Sequence, residues 1–184
     1  MPIITISGSP GTGKTAAARE LRKATGFRII SLKGLVKSGK ISSGWDRKRK
    51  VRIVDEKTLE RDVKKLIKPG RSYIIEGGLA HFIKGNICVI LRTDPAVLSR
   101  RLKRRGWGRE KVRENVMAEM LDESVIEAKS LGRKIVEIDT TKAGPEAAAL
   151  SIKMALNNYR LQRKYRPKIN WTGKYPKLLA KIGA

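Results

Sequence analysis

The 184-residue sequence is poor in acidic residues, cysteine and histidine, and it has no long apolar run. Its 17 Asp and Glu face 42 Lys and Arg, so the formal net charge is +25 and a polyanionic partner is expected. The single Cys88 excludes a disulfide scaffold and a cysteine-based zinc site, and its apolar neighbours favour a buried thiol. No stretch reaches the roughly 18 apolar residues of a membrane span, so we expect a cytoplasmic protein without membrane contact.

Short apolar strands alternate with helical segments over residues 1–158, and this alternation predicts an α/β domain. The predicted strands are 3–6, 27–31, 73–76, 87–91 and 134–138. The predicted helices are 15–24, 55–67, 95–106, 109–131 and 145–158. Asp55 and Asp94 are placed to cap two of these helices, and Pro95 suits a first helical position. We therefore expect a five-stranded parallel sheet with helices on both faces.

Two segments interrupt this alternation. Residues 38–54 are rich in Ser, Gly and basic residues without a clear period, which indicates an insertion over the sheet edge. Residues 159–184 form a basic C-terminal extension with 8 basic and no acidic residues, together with Trp171 and three tyrosines. This extension is either a nucleic-acid contact whose aromatic rings stack on bases, or a helix packed on the core with a charged outer face.

A glycine-rich turn follows the first strand and reads Gly8-Ser-Pro-Gly-Thr-Gly-Lys-Thr15, which satisfies the pattern G-x-x-x-x-G-K-T. Its position directly before a helix is the one that phosphate binding requires, because the loop amides and the helix N-terminus then face the anion. Lys14 is predicted to reach the β- and γ-phosphates of a nucleotide, and the Thr15 hydroxyl to ligate Mg²⁺. Residues 8–15 are termed the phosphate loop.

A second metal-binding carboxylate is expected at the end of a neighbouring strand, and Glu76 occupies that place. It would hold Mg²⁺, directly or through water, or orient the attacking oxygen; the alternative is an acid that caps a loop. Gly77 and Gly78 follow, and they would let a substrate approach the backbone closely. His81 is a candidate proton shuttle, and the alternative is a histidine packed under a loop.

Four arginines crowd the end of the helix 95–106, at positions 100, 101, 104 and 105. Arg101 and Arg105 are four residues apart and therefore share a helix face. On a closing lid their guanidinium groups would stabilise the charge of a transferred phosphoryl group; the alternative is a solvated basic face. Trp107 lies between two glycines and marks a candidate hinge.

The motifs that accompany the phosphate loop narrow the class of protein. A small GTPase is excluded, because neither N-K-x-D nor D-x-x-G occurs. A nucleotide site, an acceptor-binding insertion and an arginine lid match nucleoside monophosphate kinases in order and length. Two alternatives stay open: an RNA-binding assembly factor in which the nucleotide is a conformational switch, and a metabolic kinase for another small acceptor.

Several motifs together resemble adenylate kinase isoenzyme six, in its archaeal branch, over about residues 3–158. They are the phosphate loop, Val54-Asp-Glu56, Leu91-Arg-Thr-Asp94, Arg101-Leu-x-x-Arg-Gly-Trp107, Glu114-Asn115 and Glu119. This is a family of atypical adenylate kinases that also act as ATPases in small ribosomal subunit maturation. The resemblance implies a Mg²⁺-dependent transfer from ATP to AMP or another nucleoside monophosphate, with ATPase activity.

The resemblance also implies roles for individual residues. The ATP phosphates would contact Gly11, Gly13, Lys14, Thr15 and Ala16, with Arg105 as the lid arginine beside them. Catalysis would rest on Lys14, Glu76, Arg101 and Arg105, and the metal on Thr15 and Glu76. Residues 31–54 would bind the monophosphate, residues 104–114 would form the lid, and both would belong to a domain of residues 1–158.

Two positions and one segment depart from the family's pattern. Glu76 stands where eukaryotic members tend to have Asp, and Gly78 where the family often has a histidine implicated in hydrolysis. Residues 47–50 are basic where eukaryotic relatives are acidic. Family members bind a platform protein of the small subunit, universal protein eleven. The resemblance thus implies a monomer or a transient complex whose basic extension and insertion contact ribosomal RNA.

Overall fold

The computed structural model describes residues 1–41, 44–46 and 51–176. The strands are β1 (Ile3–Ser7), β2 (Arg28–Ser31), β3 (Gly44–Asp46), β4 (Val51–Ile53), β5 (Tyr73–Glu76), β6 (Ile87–Arg92) and β7 (Ile135–Asp139). Five of them form a parallel sheet, as predicted, and their order in it is β2-β5-β1-β6-β7; β3 pairs antiparallel with β4 inside the insertion. The basic run 47–50 and the chain end 177–184 lie outside the described residues.

Helices connect the strands. They are α1 (Lys14–Thr25), α2 (Leu32–Lys37), α3 (Glu56–Lys64), α4 (Pro95–Arg104), α5 (Arg109–Met120), α6 (Glu123–Ser130), α7 (Pro145–Asn157), α8 (Tyr159–Lys164) and α9 (Trp171–Lys174). A short 3-10 helix covers Ala80–Phe82. Among the described segments, no helix combines the length and the apolar character that crossing a membrane demands.

Two helices begin at the caps that the sequence predicts. The Asp55 carboxylate accepts a hydrogen bond from the Thr58 amide at 2.8 Å, at the start of α3. Asp94 accepts one from the Ala96 amide at 3.0 Å, and Pro95 takes the first position of α4. Each cap satisfies an amide that has no partner inside its own helix.

Helices cover both faces of the sheet. Ile4, Ile6 and Val89 are fully buried in a cluster with side chains of α1 and α7. Neighbouring residues in the strands point the other way, so Ile75 packs with side chains of α3 and Ile90 with side chains of α6. Burial on both faces explains why these strands read as continuous apolar runs.

The predicted helix 109–131 is wrong, because this segment forms α5 and α6, which meet at Asp122. Asp122 has a φ of 56°, in the left-handed region that residues with a side chain seldom adopt. The guanidinium of Arg92 donates to the Asp122 carboxylate and, at 2.9 Å, to the Glu119 carbonyl oxygen. Arg92 thus supplies the hydrogen-bond donor for a carbonyl oxygen at the end of α5. This contact joins residues far apart in the chain, so the helix break has no periodic signal in the sequence.

Cys88 is a buried thiol, as predicted: it is 3% exposed and packs with Val125 and Ala128 of α6. Burial raises the pKa of the thiol to about 11, so neither access nor ionisation favours reaction at pH 8. We expect a thiol-specific reagent to leave the native protein unlabelled at that pH and to label one thiol per chain after unfolding in guanidinium chloride. Rapid labelling of the native protein would contradict this packing of β6 against α6.

Candidate active site

The carboxyl ends of the parallel strands meet at one edge of the sheet, where α/β folds bind their ligands. The register places Glu76 of β5 beside Ile6 of β1 and beside Ser31 of β2. The phosphate loop leaves β1 directly after this point and leads into α1. The sheet therefore delivers the phosphate loop, Glu76 and Ser31 to the same place.

The phosphate loop takes a conformation that favours glycine. Gly11 and Gly13 both have a φ of 94°, outside the range that residues with a side chain readily adopt. A Cβ on Gly11 would also lie 2.8 Å from Leu98 Cδ1 in α4, whereas a Cβ on Gly13 would meet nothing within 4 Å. Gly13 directly precedes α1, so the loop ends at a helix N-terminus whose unpaired amides favour an anion.

The Lys14 side chain folds back over the phosphate loop. Its Nζ donates to the carbonyl oxygens of Gly8 at 2.7 Å and Ser9 at 2.9 Å. Burial lowers the pKa of Lys14 to about 8, while the carboxylates of Glu76 and Glu119 act in the opposite direction. The loop thus holds one desolvated ammonium group among neutral carbonyls, where a phosphate would be a better partner.

Thr15 and Glu76, predicted as a metal pair, lie in contact. The Thr15 hydroxyl donates to Glu76 Oε2 at 3.0 Å, and the Ser31 hydroxyl donates to Oε1 at 2.5 Å. Glu76 is 4% exposed, so the two hydroxyls hold its carboxylate in one orientation. Hydroxyl and carboxylate oxygens suit Mg²⁺, and this pair therefore fits the predicted ion. Sequence reasoning did not find Ser31 as a site residue, because a serine at a strand end is a common feature.

Arg101 and Arg105 both line a cleft of about 180 Å³ beside the phosphate loop. Arg101 donates to the Gly11 carbonyl at 3.4 Å and to the Thr140 carbonyl at 2.7 Å, so it ties the loop to the segment after β7. Arg105 is exposed at this cleft. Other lining residues are Thr12, Gly13, Ala16, Ala17, Ala143, Gly144, Pro145 and Ala148. Arg100 lies instead along the groove between α4 and α5.

The predicted lid, residues 104–114, is a tight turn followed by the first turns of α5. Gly106 has a φ of 75°, and the Trp107 amide donates to the Leu102 carbonyl at 3.3 Å, which closes the end of α4. The Trp107 ring is half-buried against the apolar cluster between α4 and α5. Its role as a hinge stays a prediction.

His81 is buried, at 1% exposure, in the turn after β5. Its Nδ1 lies 2.7 Å from Ser7 Oγ, and its Nε2 lies 2.9 Å from a carboxylate oxygen of Glu127. Ser7 in turn donates to the Gly78 carbonyl at 2.7 Å. The imidazole thus braces the turn that follows Glu76, which favours the packed alternative over a proton shuttle.

A buried polar network behind the phosphate loop was not predicted. Arg92 donates from Nε to Glu119 Oε1 at 2.7 Å and from Nη1 to Glu137 Oε1 at 2.6 Å. The other Glu119 oxygen accepts from Ser9 Oγ at 2.7 Å, so the network reaches the phosphate loop. Arg92 and Glu119 both stand in the motifs quoted above, but no spacing rule relates residues so far apart. Arg92, Glu119 and Glu137 are termed the buried ion network.

The described part of the C-terminal extension packs on the core. Trp171 is 5% exposed in the cluster formed with α4 and α5, so its ring is not available for stacking on a base. Tyr165 is half-buried against the main core cluster, whereas Tyr159 is exposed. Trp171 therefore packs on the core, and the expectation that its ring stacks on a base is wrong.

These features define the class of the protein: a parallel sheet with a glycine-rich loop between its first strand and first helix is a P-loop nucleotide-binding domain. A family model described as an AAA domain matches residues 4–122. A Thermococcus onnurineus protein named "Putative adenylate kinase" is 32% identical over 183 aligned residues, which cover 96% of this chain and 95% of that one. A Methanocaldococcus jannaschii protein of the same name is 30% identical over 94% of each chain. The chain belongs to the family of these two relatives, the atypical adenylate kinases.

Solved structures share the fold at low sequence identity. Shikimate kinase from Acinetobacter baumannii, in complex with shikimate, superposes with a TM-score of 0.57 at 18% identity, over 88% of this chain and 96% of that one. Deoxyadenosine kinase from M. mycoides with bound dATP gives a TM-score of 0.55 at 17% identity, over 86% of this chain and 100% of that one. The fold is therefore that of small P-loop kinases.

Proposed function

We propose that the protein is a Mg²⁺-dependent adenylate kinase, which moves the γ-phosphoryl group of ATP to AMP and yields two ADP. The observation that carries the proposal is the contact between Thr15 and Glu76 beside Lys14 at the start of α1. The adenylate kinase name of relatives that span nearly the whole chain supports ATP and AMP as the substrates.

The donor nucleotide would lie along the phosphate loop. The backbone amides around Gly11, Gly13 and Ala16 would bind its phosphates, and the Lys14 ammonium would leave the loop carbonyls for the β- and γ-oxygens. Thr15 and Glu76 would hold Mg²⁺, which when bound neutralises charge on the phosphates. Arg101 and Arg105 border the adjoining cleft, where Arg105 is free to approach the transferred group.

An apolar groove on the other side of Glu76 supports a nucleotide acceptor. It lies between α2 and the turn after β5, and its lining residues are Leu32, Lys33, Val36, Lys37, Val54, Leu59, Gly77, Gly78 and Leu79. The two lysines would attract the AMP phosphate, and the apolar residues would contact the base. An AMP phosphate oxygen then attacks the γ-phosphorus of ATP, and the bond to the bridging oxygen breaks as ADP leaves with its electron pair.

We expect Glu76→Gln to lower turnover about 10- to 100-fold and to raise the Mg²⁺ concentration for half-maximal rate, because an anionic ligand becomes neutral. The variant keeps the shape of the side chain, so its melting temperature should change little. Initial rates over a Mg²⁺ series measure the effect, with Glu123→Gln, an exposed acid of α6, as the matched control. An unchanged Mg²⁺ dependence would remove Glu76 from the metal site.

A panel of acceptors tests the proposed reaction against the metabolic-kinase alternative. With ATP and Mg²⁺ present, we expect phosphoryl transfer to AMP to exceed transfer to CMP, shikimate or water. Preferred transfer to shikimate, or to none of the acceptors, would reject the adenylate kinase proposal. The reaction with water as the only acceptor measures the proposed ATPase activity as release of free phosphate. A role of both activities in small ribosomal subunit maturation, with universal protein eleven as a partner, is supported by the motif resemblance.

A second candidate function, binding of RNA, is favoured by a basic cleft at the amino end of β7. Five cations line it, Lys129, Arg133, Lys134, Arg163 and Arg166, together with the exposed ring of Tyr159. Within residues 1–41, 44–46 and 51–176, none of these five side chains forms an ion pair. Arg133 donates to the carbonyl oxygens of His81 and Phe82, and Lys134 Nζ lies 5.9 Å from the centroid of the Tyr159 ring. Cations without a carboxylate partner beside an aromatic ring suit a single-stranded polyanion.

Substitution in the basic cleft tests RNA binding more cleanly than deletion of the extension, since deletion would uncover the core around Trp171. We expect Arg163→Gln with Arg166→Gln to lower RNA affinity and to reduce the slope of log K against log salt by about 1.4, or about 0.7 for each lost phosphate contact. Arg19→Gln with Lys23→Gln, two exposed cations of α1, removes the same charge elsewhere. Equal effects of the two pairs would argue against a specific cleft.

A further inference from the structure

The C-terminal extension is attached to the sheet beside the nucleotide site. The segment from Asn158 to Tyr175 is termed the tail segment. The Glu137 amide in β7 donates to the Tyr165 carbonyl at 2.7 Å. The Glu137 carboxylate accepts from the amides of Lys168 at 2.7 Å and Ile169 at 3.0 Å. Glu137 is a member of the buried ion network, so the tail segment supplies some of the donors that satisfy this carboxylate.

A tail side chain shares one carboxylate with the phosphate loop. The indole Nε1 of Trp171 donates to Glu119 Oε1 at 3.1 Å. The same carboxylate accepts from Ser9 Oγ at 2.7 Å through its other oxygen. Glu119 is 3% exposed, so solvent offers no substitute donors. One buried group therefore stands between the tail segment and the backbone that would hold the phosphates.

The tail segment also contacts the helix that carries the two arginines of the cleft. Lys174 Nζ donates to Asp94 Oδ2 at 2.8 Å, and the Tyr175 hydroxyl donates to the same oxygen at 2.5 Å. Asp94 uses its other oxygen to cap α4. Burial alone would raise the pKa of Asp94, but the hydrogen bonds from Lys174 and Tyr175 outweigh it and lower the pKa, so the cap stays anionic near neutral pH. The tail segment thus reaches the phosphate loop through Glu119 and α4 through Asp94.

We propose that Trp171 is a positioning residue of the nucleotide site, which fixes the Glu119 carboxylate and through it the Ser9 end of the phosphate loop. The proposal rests on the proposed function in one respect, that the phosphate loop binds the ATP phosphates. Without the indole N–H, Glu119 Oε1 keeps two donors, Arg92 Nε at 2.7 Å and the Thr93 amide at 3.0 Å, and the carboxylate turns toward these two. The hydroxyl of Ser9 is then held less firmly, and the loop samples conformations that do not bind phosphate.

The test compares Trp171→Phe with Thr172→Ala. The first keeps an aromatic ring in the cluster but removes the indole donor together with part of the ring volume. The second alters a neighbouring hydroxyl that donates to Asn170 within the tail segment. We expect Trp171→Phe to raise the Kd for ATP about tenfold and to leave the KM for AMP unchanged. Thr172→Ala should leave both values at those of the parent. A Trp171→Phe protein with a lower melting temperature but the parent Kd would show a purely structural role and overturn the proposal.

Hydrogen exchange on the nucleotide-free protein separates this proposal from the proposed function. In Trp171→Phe, peptides that cover residues 8–15 should exchange faster than in the parent, whether or not the protein turns over ATP. Ser9→Ala should give the same increase, and the double variant no more than either single one, because both act through Glu119. Unchanged exchange in the phosphate loop would overturn the positioning role. A parent that binds no ATP would instead refute the proposed function.

Discussion

Replacing Lys14 by alanine should reduce phosphoryl transfer on the order of 10³-fold, because the ammonium group is the charge held closest to the phosphate loop backbone. Initial rates of ADP formation from ATP and AMP measure this loss. The variant should fold normally, because loss of two hydrogen bonds to loop carbonyls is offset by removal of a desolvated ammonium group from the free protein. Its melting temperature should equal or slightly exceed that of the parent.

Lys23→Ala is the matched control for this prediction. Lys23 lies on the same helix, is exposed, and pairs with Glu20 at 2.8 Å. It therefore reports the effect of losing one positive charge from α1 outside the nucleotide site, and its rate should equal that of the parent. A Lys14→Ala protein that retains more than about a tenth of the parent rate would show that the phosphate loop is not where transfer occurs.

Replacing Arg92 by methionine should destabilise the protein by about 3–5 kcal/mol, because removal of one partner leaves buried charges unpaired. The side chains of Arg92, Glu119 and Glu137 are each 2% exposed, so water cannot replace the lost donors. Urea unfolding at pH 7 measures the change in free energy. Arg100→Met, an exposed arginine of α4, is the control and should have little effect.

A triple variant tests the buried ion network even if Arg92→Met alone fails to fold. Glu119→Gln and Glu137→Gln combined with Arg92→Met remove all three charges, and the triple variant should recover much of the lost stability. We expect the triple variant to bind ATP more weakly than the parent, because the amide at position 119 no longer presents a carboxylate to Ser9. A fully stable Arg92→Met protein would contradict the buried ion network.

Local signals in the sequence were enough to predict most of the fold. The apolar strands, the caps Asp55 and Asp94 and the loop glycines act through neighbours within a few residues, and the sheet with two covered faces follows from their order. The break at Asp122 and the packing of Trp171 depend on partners far away in the chain. Sequence periodicity carries no information about such contacts, so neither the break nor the packing could be predicted from the sequence.

The residues of the candidate site also form two groups, those that a local sequence pattern predicts and those that depend on distant partners. Lys14 and Thr15 follow from the phosphate loop pattern, and the place of Glu76 follows from the rule that parallel strands end at one edge. Ser31 donates to Glu76, and Glu119 accepts from Ser9 of the phosphate loop, but no sequence spacing marks a serine or a glutamate for these contacts. Residues proposed to contact a ligand are thus easier to predict than residues that hold them in place.

The position of the γ-phosphorus of ATP in the products shows whether the protein transfers it to AMP. The protein is incubated with Mg²⁺, AMP and ATP that carries ³²P at the γ-position, and the products are separated after less than one turnover. An adenylate kinase places the label in the β-position of ADP, and Lys14→Ala should abolish this product. Label that appears only as free phosphate would show that the protein is not an adenylate kinase. Label that appears equally in ADP with Lys14→Ala would show that transfer does not depend on the phosphate loop.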